Sequence, residues 1–523
     1  MDPSLRCCAR CCAIGAALSL IPSLLPAQGL QAPTTLTVTT ATSSSVQLSW
    51  TAPPSGAPGY IVERKTLTGA FAALPNTPDA GTPGVTIADN TIDPFTAYVY
   101  RVRAVSLTDS SAPSNERTVG PPPDGFNVVS PDPTSSGHND EFGREIQMVL
   151  DANGDPAISY LYLLRAPSSS NEGDPAPDDF SPTAIYFVSW NRAQYRWNAP
   201  ALVAMVDDIR VFAPQTNISL ARDPVNNTFG LAYAVGNDLG RLDLSLSIDG
   251  GSTWTRQTIA DNQGFQLQEV SLALYGGAGH IVYTGFRNLE YITGSQTVPP
   301  ARWTRTEVPL PPGLAGTPRP AFSLAVDNTG TPGLAFWTSP AKGDNSVLGY
   351  WKPGSLNSVA VTDTNNNVNG LIGCDLTFFG AQPRIAMFAV RDTTSSWVWT
   401  SMSNDAGVTW TPPANVPRDV RALLGGYISI AAGSKGQGAI VADFAGGSPA
   451  GMQCGLPKLA RSPDFTTWTT CSPTGAQTPE VTPAFMRIAF AANDMLYLVF
   501  QNSNYDLAGV KNGVVVWHEP QQP

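Results

Sequence analysis

Ser247-Ile248-Asp249-Gly250-Gly251-Ser252-Thr253-Trp254 and Ser403-Asn404-Asp405-Ala406-Gly407-Val408-Thr409-Trp410 are two copies of one octapeptide, S-x-D-x-G-x-T-W, in a chain of 523 residues. The pattern reads as a tight hairpin turn. Its Asp bonds the backbone N–H groups of the turn, its Gly admits a positive φ, and its Trp packs beneath. Asp249 and Asp405 are therefore structural residues rather than candidates for chemistry. Looser copies stand at Ser189 to Trp197, one residue too long, and at Ser462-Pro463-Asp464 to Trp468, one residue too short and without the Gly.

Outward from these turns the chain repeats from about residue 137 to 520. An aliphatic anchor opens one strand, and 11 to 13 residues later a second strand ends on a bulky residue: Met148/Tyr160, Leu220/Tyr233, Leu272/Tyr283, Leu324/Phe336, Leu376/Phe388 and Ile488/Phe500, with a weaker copy from Ile430 to about Phe444. Successive anchors lie 72, 52, 52, 52, 54 and 58 residues apart. A period of about fifty residues holding about four strands is the signature of propeller blades. The long first interval contains the polar, Pro-rich SSSNEGDPAPDDFSP, which reads as a loop insertion. The octapeptides fall about 28 residues after their anchors, where the hairpin joining third and fourth strands belongs.

The octapeptides resemble the Asp-box (BNR) repeats of sialidase-type β-propellers, in which the box occupies the outer hairpin of a blade, away from the central channel. That resemblance implies an all-β propeller and spans activities from glycosidases to sorting receptors. Seven copies predict seven blades, where sialidases have six. Six is also compatible with the repeat if an end copy is incomplete and Phe126 to Val129 pairs with Gly513 to Trp517.

Residues 30–119 contain LTVTTATSSSVQLSW, GYIVERK and TIDPFTAYVYRVRAVS, alternating strands punctuated by Pro, Gly and Ser. They resemble a fibronectin type III module, with Trp50 as the core tryptophan, Tyr60 opening the third strand and Tyr98 as the tyrosine-corner residue. Such a module implies a β-sandwich serving as a spacer. A Pro-rich linker at residues 120–136 follows, starting Gly120-Pro121-Pro122-Pro123.

Composition narrows the function classes. Charged residues are 14% of the chain, and Gly and Pro number 47 each, which favours turns and strands over surface helices. The net charge of −11 is spread without a basic block, which disfavours nucleic acid and anionic membrane as partners; no nucleic acid partner is expected. Residues 1–27 read as a secretory leader: Arg6 and Arg10, an apolar run from Cys11 to Leu25, then Pro26-Ala27. Export to the extracellular space or cell surface follows, with no integral membrane association and a monomer expected. Four cysteines lie in the leader. Of the remaining three, Cys454 and Cys471 flank a hairpin and are the expected disulfide, with Cys374 a buried thiol; three unpaired thiols are the alternative. Three histidines leave almost no material for a zinc site or a Ser-His-Asp triad.

In a propeller the residues entering each innermost strand surround the channel mouth. Here these are Arg144, Glu145, Asn217, Glu269, Arg319, Asp375, Tyr427 and Arg487. The sialidase resemblance implies three arginines clamping a carboxylate, a Tyr activated by a Glu, and an Asp as acid/base. Arg144, Arg319 and Arg487 are the ligand-binding candidates, and Glu145, Glu269, Asp375 and Tyr427 the catalytic ones. The family's Phe/Tyr-Arg-Ile-Pro string has no match; Phe142-Gly143-Arg144-Glu145-Ile146 differs in order and lacks the Pro. The plain alternative makes the arginines strand-edge residues, the acids turn caps and Tyr427 packing between blades. Asp151-Ala152-Asn153-Gly154-Asp155 has the spacing of a calcium loop, but Tyr162 stands where the loop needs Glu, so an Asx-rich turn is preferred and neither metal nor cofactor is expected. The resulting expectation is a secreted protein recognising an extracellular glycan or protein, with a glycoside hydrolase and a structural cell-surface component as alternatives.

Overall fold

A computed structural model describes residues 29–75, 84–131, 142–163, 183–206, 217–235, 240–261, 269–284, 288–297, 303–312, 316–340, 346–362, 370–392, 395–416, 428–442, 459–471, 482–503 and 513–519. All regular structure among them is β-strand. The leader, Tyr427 and Cys454 lie outside the described residues. The chain divides into two compact units, one of Met1–Thr39, Gln47–Asp89 and Tyr98–Arg117, the other of Thr40–Val46, Asn90–Ala97 and Thr118–Pro523.

The strands of the fibronectin-like stretch form a sheet in the order Thr34–Ala41, Val46–Thr51, Thr86–Asp89 and a second in the order Ala72–Ala73, Gly59–Thr66, Tyr98–Val105, Arg117–Val119. Val46–Thr51 alternates buried and exposed, sending Val46, Leu48 and Trp50 inward. Trp50 meets Tyr60 edge to face at 5.4 Å, and Tyr98 is buried with the Arg64 guanidinium 4.5 Å above its ring.

Among the described residues the second unit contains seven sheets of antiparallel strands, here blades 1 to 7. Their first strands are Phe142–Leu150, Ile218–Arg222, Val270–Tyr275, Gly316–Val326, Gly370–Phe379, Ile428–Ala432 and Thr482–Phe490. Within each blade the next strands follow in chain order, except that the outer strand of blade 7 comes from the N-terminal side of the propeller. Each first strand packs against the first strand of the next blade, and the seventh packs against the first. These seven strands therefore form a closed ring around a central channel. With a blade on each side, second strands such as Phe229–Val235 (FGLAYAV) are buried on both faces and read as continuous apolar runs.

Seven blades are realised, and the pairing that the sequence linked to a six-bladed alternative is present as well. Gly125–Pro131 lies antiparallel to Gly513–His518, with Phe126 opposite Trp517 and Val128 opposite Val515, and supplies the outer strand of blade 7. Part of the stretch expected to be linker is thus a strand, because the apolar Phe126, Val128 and Val129 satisfy an edge left open by the last hairpin. Phe126 packs edge to face on Phe500 at 6.2 Å.

The octapeptides occupy the hairpins between third and fourth strands of blades 2 and 5. In each, the serine hydroxyl (Ser247, Ser403) donates to the aspartate and accepts from the Gly251 or Gly407 N–H. The aspartate accepts from both the N–H and the hydroxyl of Thr253 or Thr409. These bonds hold the Asp249 and Asp405 carboxyls down at about 2. The Trp254 and Trp410 indole N–H groups donate to the carbonyls of Gly251 and Gly407. Their rings reach the preceding blade, Trp254 lying 5.1 Å from Phe187 and Trp410 5.0 Å from Tyr350. The short copy keeps the aspartate cap, with Asp464 accepting from the Thr466 and Thr467 N–H groups; Phe465, at φ 62°, provides a left-handed step.

Candidate functional site

The channel is organised by a repeat finer than the blade. At the residue just before each anchor stand Gln147, Ser219, Ser271, Ser323, Asp375, Ser429 and Arg487. The Leu272 N–H donates to Ser219 Oγ at 2.9 Å, the Leu324 N–H to Ser271 Oγ at 3.0 Å, the Leu376 N–H to Ser323 Oγ at 3.1 Å, and the Ile488 N–H to Ser429 Oγ at 3.3 Å. Asp375 plays the same part with a carboxylate, its Oδ2 accepting from the Ile430 N–H at 2.9 Å. Five successive junctions, from blade 2 to blade 7, are thus each sealed by a side chain reaching a backbone N–H of the next blade. An inner strand has no neighbour on its channel side, and such an N–H would otherwise go unpaired.

Blade 1 departs from this scheme. Its junction with blade 2 is made two residues earlier, where Glu145 accepts from the Asn217 N–H and from Asn217 Nδ2, both at 2.7 Å. Glu145 is buried and sits at φ 50°, a left-handed conformation that a non-glycine residue adopts at a cost of about 1 kcal/mol or more. The register of Phe142–Leu150 slips between Arg144 and Gln147, and this bulge turns the carboxylate toward Asn217.

A cavity of about 210 Å³ occupies the centre of the ring. Glu269, Asp375 and Arg487 line it together with Gln147 and the four ring serines. Burial pushes the Asp375 carboxyl above the usual range, opposed by the nearby Arg487 guanidinium and by the N–H groups of Ile430 and Leu376. Ser323 Oγ donates to Asp375 Oδ1 at 2.8 Å, so both carboxylate oxygens have donors. Burial also drives the Cys374 thiol well above its ordinary value; the thiol lies 3.6 Å from the Ala321 carbonyl.

Of the residues singled out in the sequence, Glu269, Asp375 and Arg487 come together at the cavity, while Glu145 and Asn217 bind each other. They occupy two levels: Asp375 and Arg487 one residue before their anchors, Glu145, Asn217 and Glu269 three before. Arg144 and Arg319 fall on inner strands, with side chains outside the described residues, as does Tyr427 altogether. Cys374 is a free buried thiol; Cys471 ends the outer strand of blade 6, and its pairing with Cys454 lies outside the described residues. The calcium-like spacing is an Asx turn, since Asp151 Oδ1 accepts the Asn153 and Asp155 N–H groups and Asp155 pairs with the Arg192 guanidinium. The serine ring was not singled out, although Ser-Leu or Ser-Ile recurs at 219, 271, 323 and 429 in phase with the anchors.

Residues 31–119 match the family model of the fibronectin type III domain. None of the curated proteins matches the chain. Among solved structures, the sialidase of Trypanosoma rangeli in complex with the inhibitor DANA is similar at 10% identity and a TM-score of 0.38, with 60% of this chain and 56% of that chain covered. The Hadza microbial sialidase Hz136 is similar at 10% identity and a TM-score of 0.42 over 92% of this chain and 91% of its own. A PL25 polysaccharide lyase, an ulvan lyase, is similar at 10% identity and a TM-score of 0.46 over 76% of this chain and 95% of its own. The chain is thus similar to a fibronectin type III domain over residues 31–119 and, at low identity, to sialidase-type β-propeller proteins.

Proposed function

We propose that the propeller of this protein recognises an extracellular glycan at its channel mouth without cleaving it, and that the fibronectin-like module, following a cleaved secretory leader, serves as a spacer. The observation that carries this reading is the use made of the channel carboxylates. Most glycoside hydrolysis asks for two carboxyls free to exchange protons or attack carbon across roughly 5 to 9.5 Å, and the sialidase variant asks for a free Asp and a Glu beside its Tyr. Glu145 has both oxygens held by Asn217, and Asp375 has both held by Ser323 and Ile430. A carboxylate that joins blades through backbone N–H groups is a poor acid or base, because each proton transfer would break the joint. Around the cavity, among the described residues, stand hydroxyl, amide and guanidinium groups suited to binding, together with the single further carboxylate of Glu269.

A second reading, hydrolysis, draws support from one feature. Burial raises the Asp375 carboxyl beside Arg487, as a general acid requires. Incubating the full chain on an array of sialylated and non-sialylated glycans, with retained protein and the mass of each glycan both recorded, separates the two. Retention without mass change is expected. Mass loss on any spot would replace binding by catalysis and make Asp375→Asn and Glu269→Gln the first substitutions, and silence throughout would count against a glycan ligand.

A further inference from the structure

One junction between blades has a ring residue that cannot close it. The other six are each held by a side-chain oxygen that reaches the next blade: Ser219, Ser271, Ser323, Asp375 and Ser429 at the ring, and Glu145 from blade 1 to blade 2. From blade 7 to blade 1 the ring position holds Arg487. A guanidinium offers five N–H groups and no lone pair, so it cannot accept from a backbone N–H. Its Nη1 donates to the Met486 carbonyl at 3.0 Å, which keeps the group beside its own strand.

The backbone N–H at this junction is that of Met148, and the strand ladder fixes its direction. The Asp151 N–H donates to the Asp155 carbonyl at 2.8 Å and closes the first turn of blade 1, as the Asp327 N–H closes that of blade 4 on the Thr331 carbonyl at 3.0 Å. Opposed residues of an antiparallel pair alternate between bonded and unbonded. Counted back from these turns, Met148 opposite Ile158 and Leu324 opposite Leu334 both fall on unbonded pairs, so their N–H groups face the preceding blade. There Leu324 finds Ser271, whereas Met148 finds the strand that carries Arg487. A donor thus stands on each side of the junction, and Met148 and Arg487 both line the central cavity of about 210 Å³. What such a pair of donors requires is an oxygen from outside the protein.

We infer that the junction of blades 7 and 1 is the seat of the glycan: a sugar hydroxyl oxygen takes the place that a side-chain oxygen has at the other junctions, accepts from Met148 N–H and Arg487, and completes the ring. This rests on the glycan-binding reading above. Asp375 and Glu269 line the same cavity, and their charge favours a hydroxyl over a sugar carboxylate in this seat. Arginine at a position of the serine ring exchanges a joint for a ligand anchor, a local rule broken for function.

The test compares the full chain with Arg487→Ser, which supplies the acceptor used at the other junctions, and with Arg487→Ala, which differs from it by one hydroxyl. Each is melted without sugar and passed over immobilised lactose, sialyllactose, cellohexaose, mannohexaose and xylohexaose. Arg487→Ser is expected to melt about 1–3 °C above Arg487→Ala, because only the serine can take the Met148 N–H. Both variants should bind any sugar retained by the parent about tenfold more weakly. With that sugar present, hydrogen exchange in the parent should slow most in Phe142–Leu150 and Thr482–Phe490. Equal melting of the two variants would overturn the open junction, undiminished retention in both would overturn the anchor, and retention of sialyllactose without lactose would overturn the hydroxyl; each of these leaves glycan binding intact. No retention of any sugar by the parent overturns both readings.

Discussion

Gly251 and Gly407 show how much one hydrogen atom decides. Both sit at φ 91°, and a Cβ built on Gly251 would lie 1.9 Å from the Phe187 ring, one on Gly407 2.2 Å from Tyr350. The turn brings its backbone onto an aromatic side chain of the preceding blade, so the glycine serves conformation and packing together. Gly251→Ala and Gly407→Ala are each expected to cost about 2–4 kcal/mol in urea unfolding, from the left-handed backbone plus overpacking against a ring held from several sides. The neighbouring aspartates act through charge. Asp249 and Asp405 titrate at about 2 in the fold and near 4 when unfolded, so their contribution is present above about pH 4 and is lost as pH falls toward 2. The double variant Asp249→Asn, Asp405→Asn should show a shallower loss of stability across that interval, followed by chemical unfolding at successive pH values. An unchanged slope would mean that the turns do not hold the ionised form.

Among the elements, the inner strands carry the ring that seals one blade to the next. Removing the hydroxyl of Ser271 leaves the Leu324 N–H without its acceptor in a part-buried place, and Ser271→Ala is expected to destabilise by about 1–2 kcal/mol while the exposed Ser55→Ala stays within about 0.5. Equal effects in the two variants would remove the ring's structural role. How these elements could be read from the sequence follows the same physics. The anchors, the second-strand aromatics and the octapeptide turns were legible because each repeats a local requirement: an aliphatic side chain between blades, a ring beneath a turn, a glycine at positive φ. The serines repeat as regularly, yet a hydroxyl facing a backbone N–H some 53 residues away has no local signature and reads as an ordinary polar residue. The bulges were hidden for a related reason. Two residues opposing one is a property of a strand pair, and nothing in Gly143-Arg144-Glu145-Ile146 alone says that Glu145 will turn toward Asn217. Hence the charged residues entering the inner strands were identified, whereas their division into two levels, and into joints and cavity groups, required the register.

At the scale of the whole propeller, stability depends on one closure, because the chain must bring residues near 125 to residues near 515 before the ring has no open edge. A titratable group lies at that point. His518 ends the third strand of blade 7 opposite Gly125, is buried, and has Nδ1 3.2 Å from Asp124 Oδ1, with the Tyr497 ring 4.7 Å from its own and Glu519 next in the chain. Burial lowers its pKa below the ordinary value, and the carboxylates of Asp124 and Glu519 only partly oppose that shift. The sign follows: the unfolded histidine binds a proton more readily than the folded one. The closed ring therefore has its full contribution from this group above about pH 6.5 and loses it as pH falls through the lowered folded value. His518→Phe, which keeps the ring against Tyr497 and cannot titrate, should flatten the melting temperature below about pH 6.5 relative to the parent chain. Hydrogen exchange read in parallel locates the effect. On acidification, protection should fall first in Gly513–His518 and Gly125–Pro131 of the parent and not in the variant; simultaneous loss in all seven blades of both chains would mean that closure is not where acid acts.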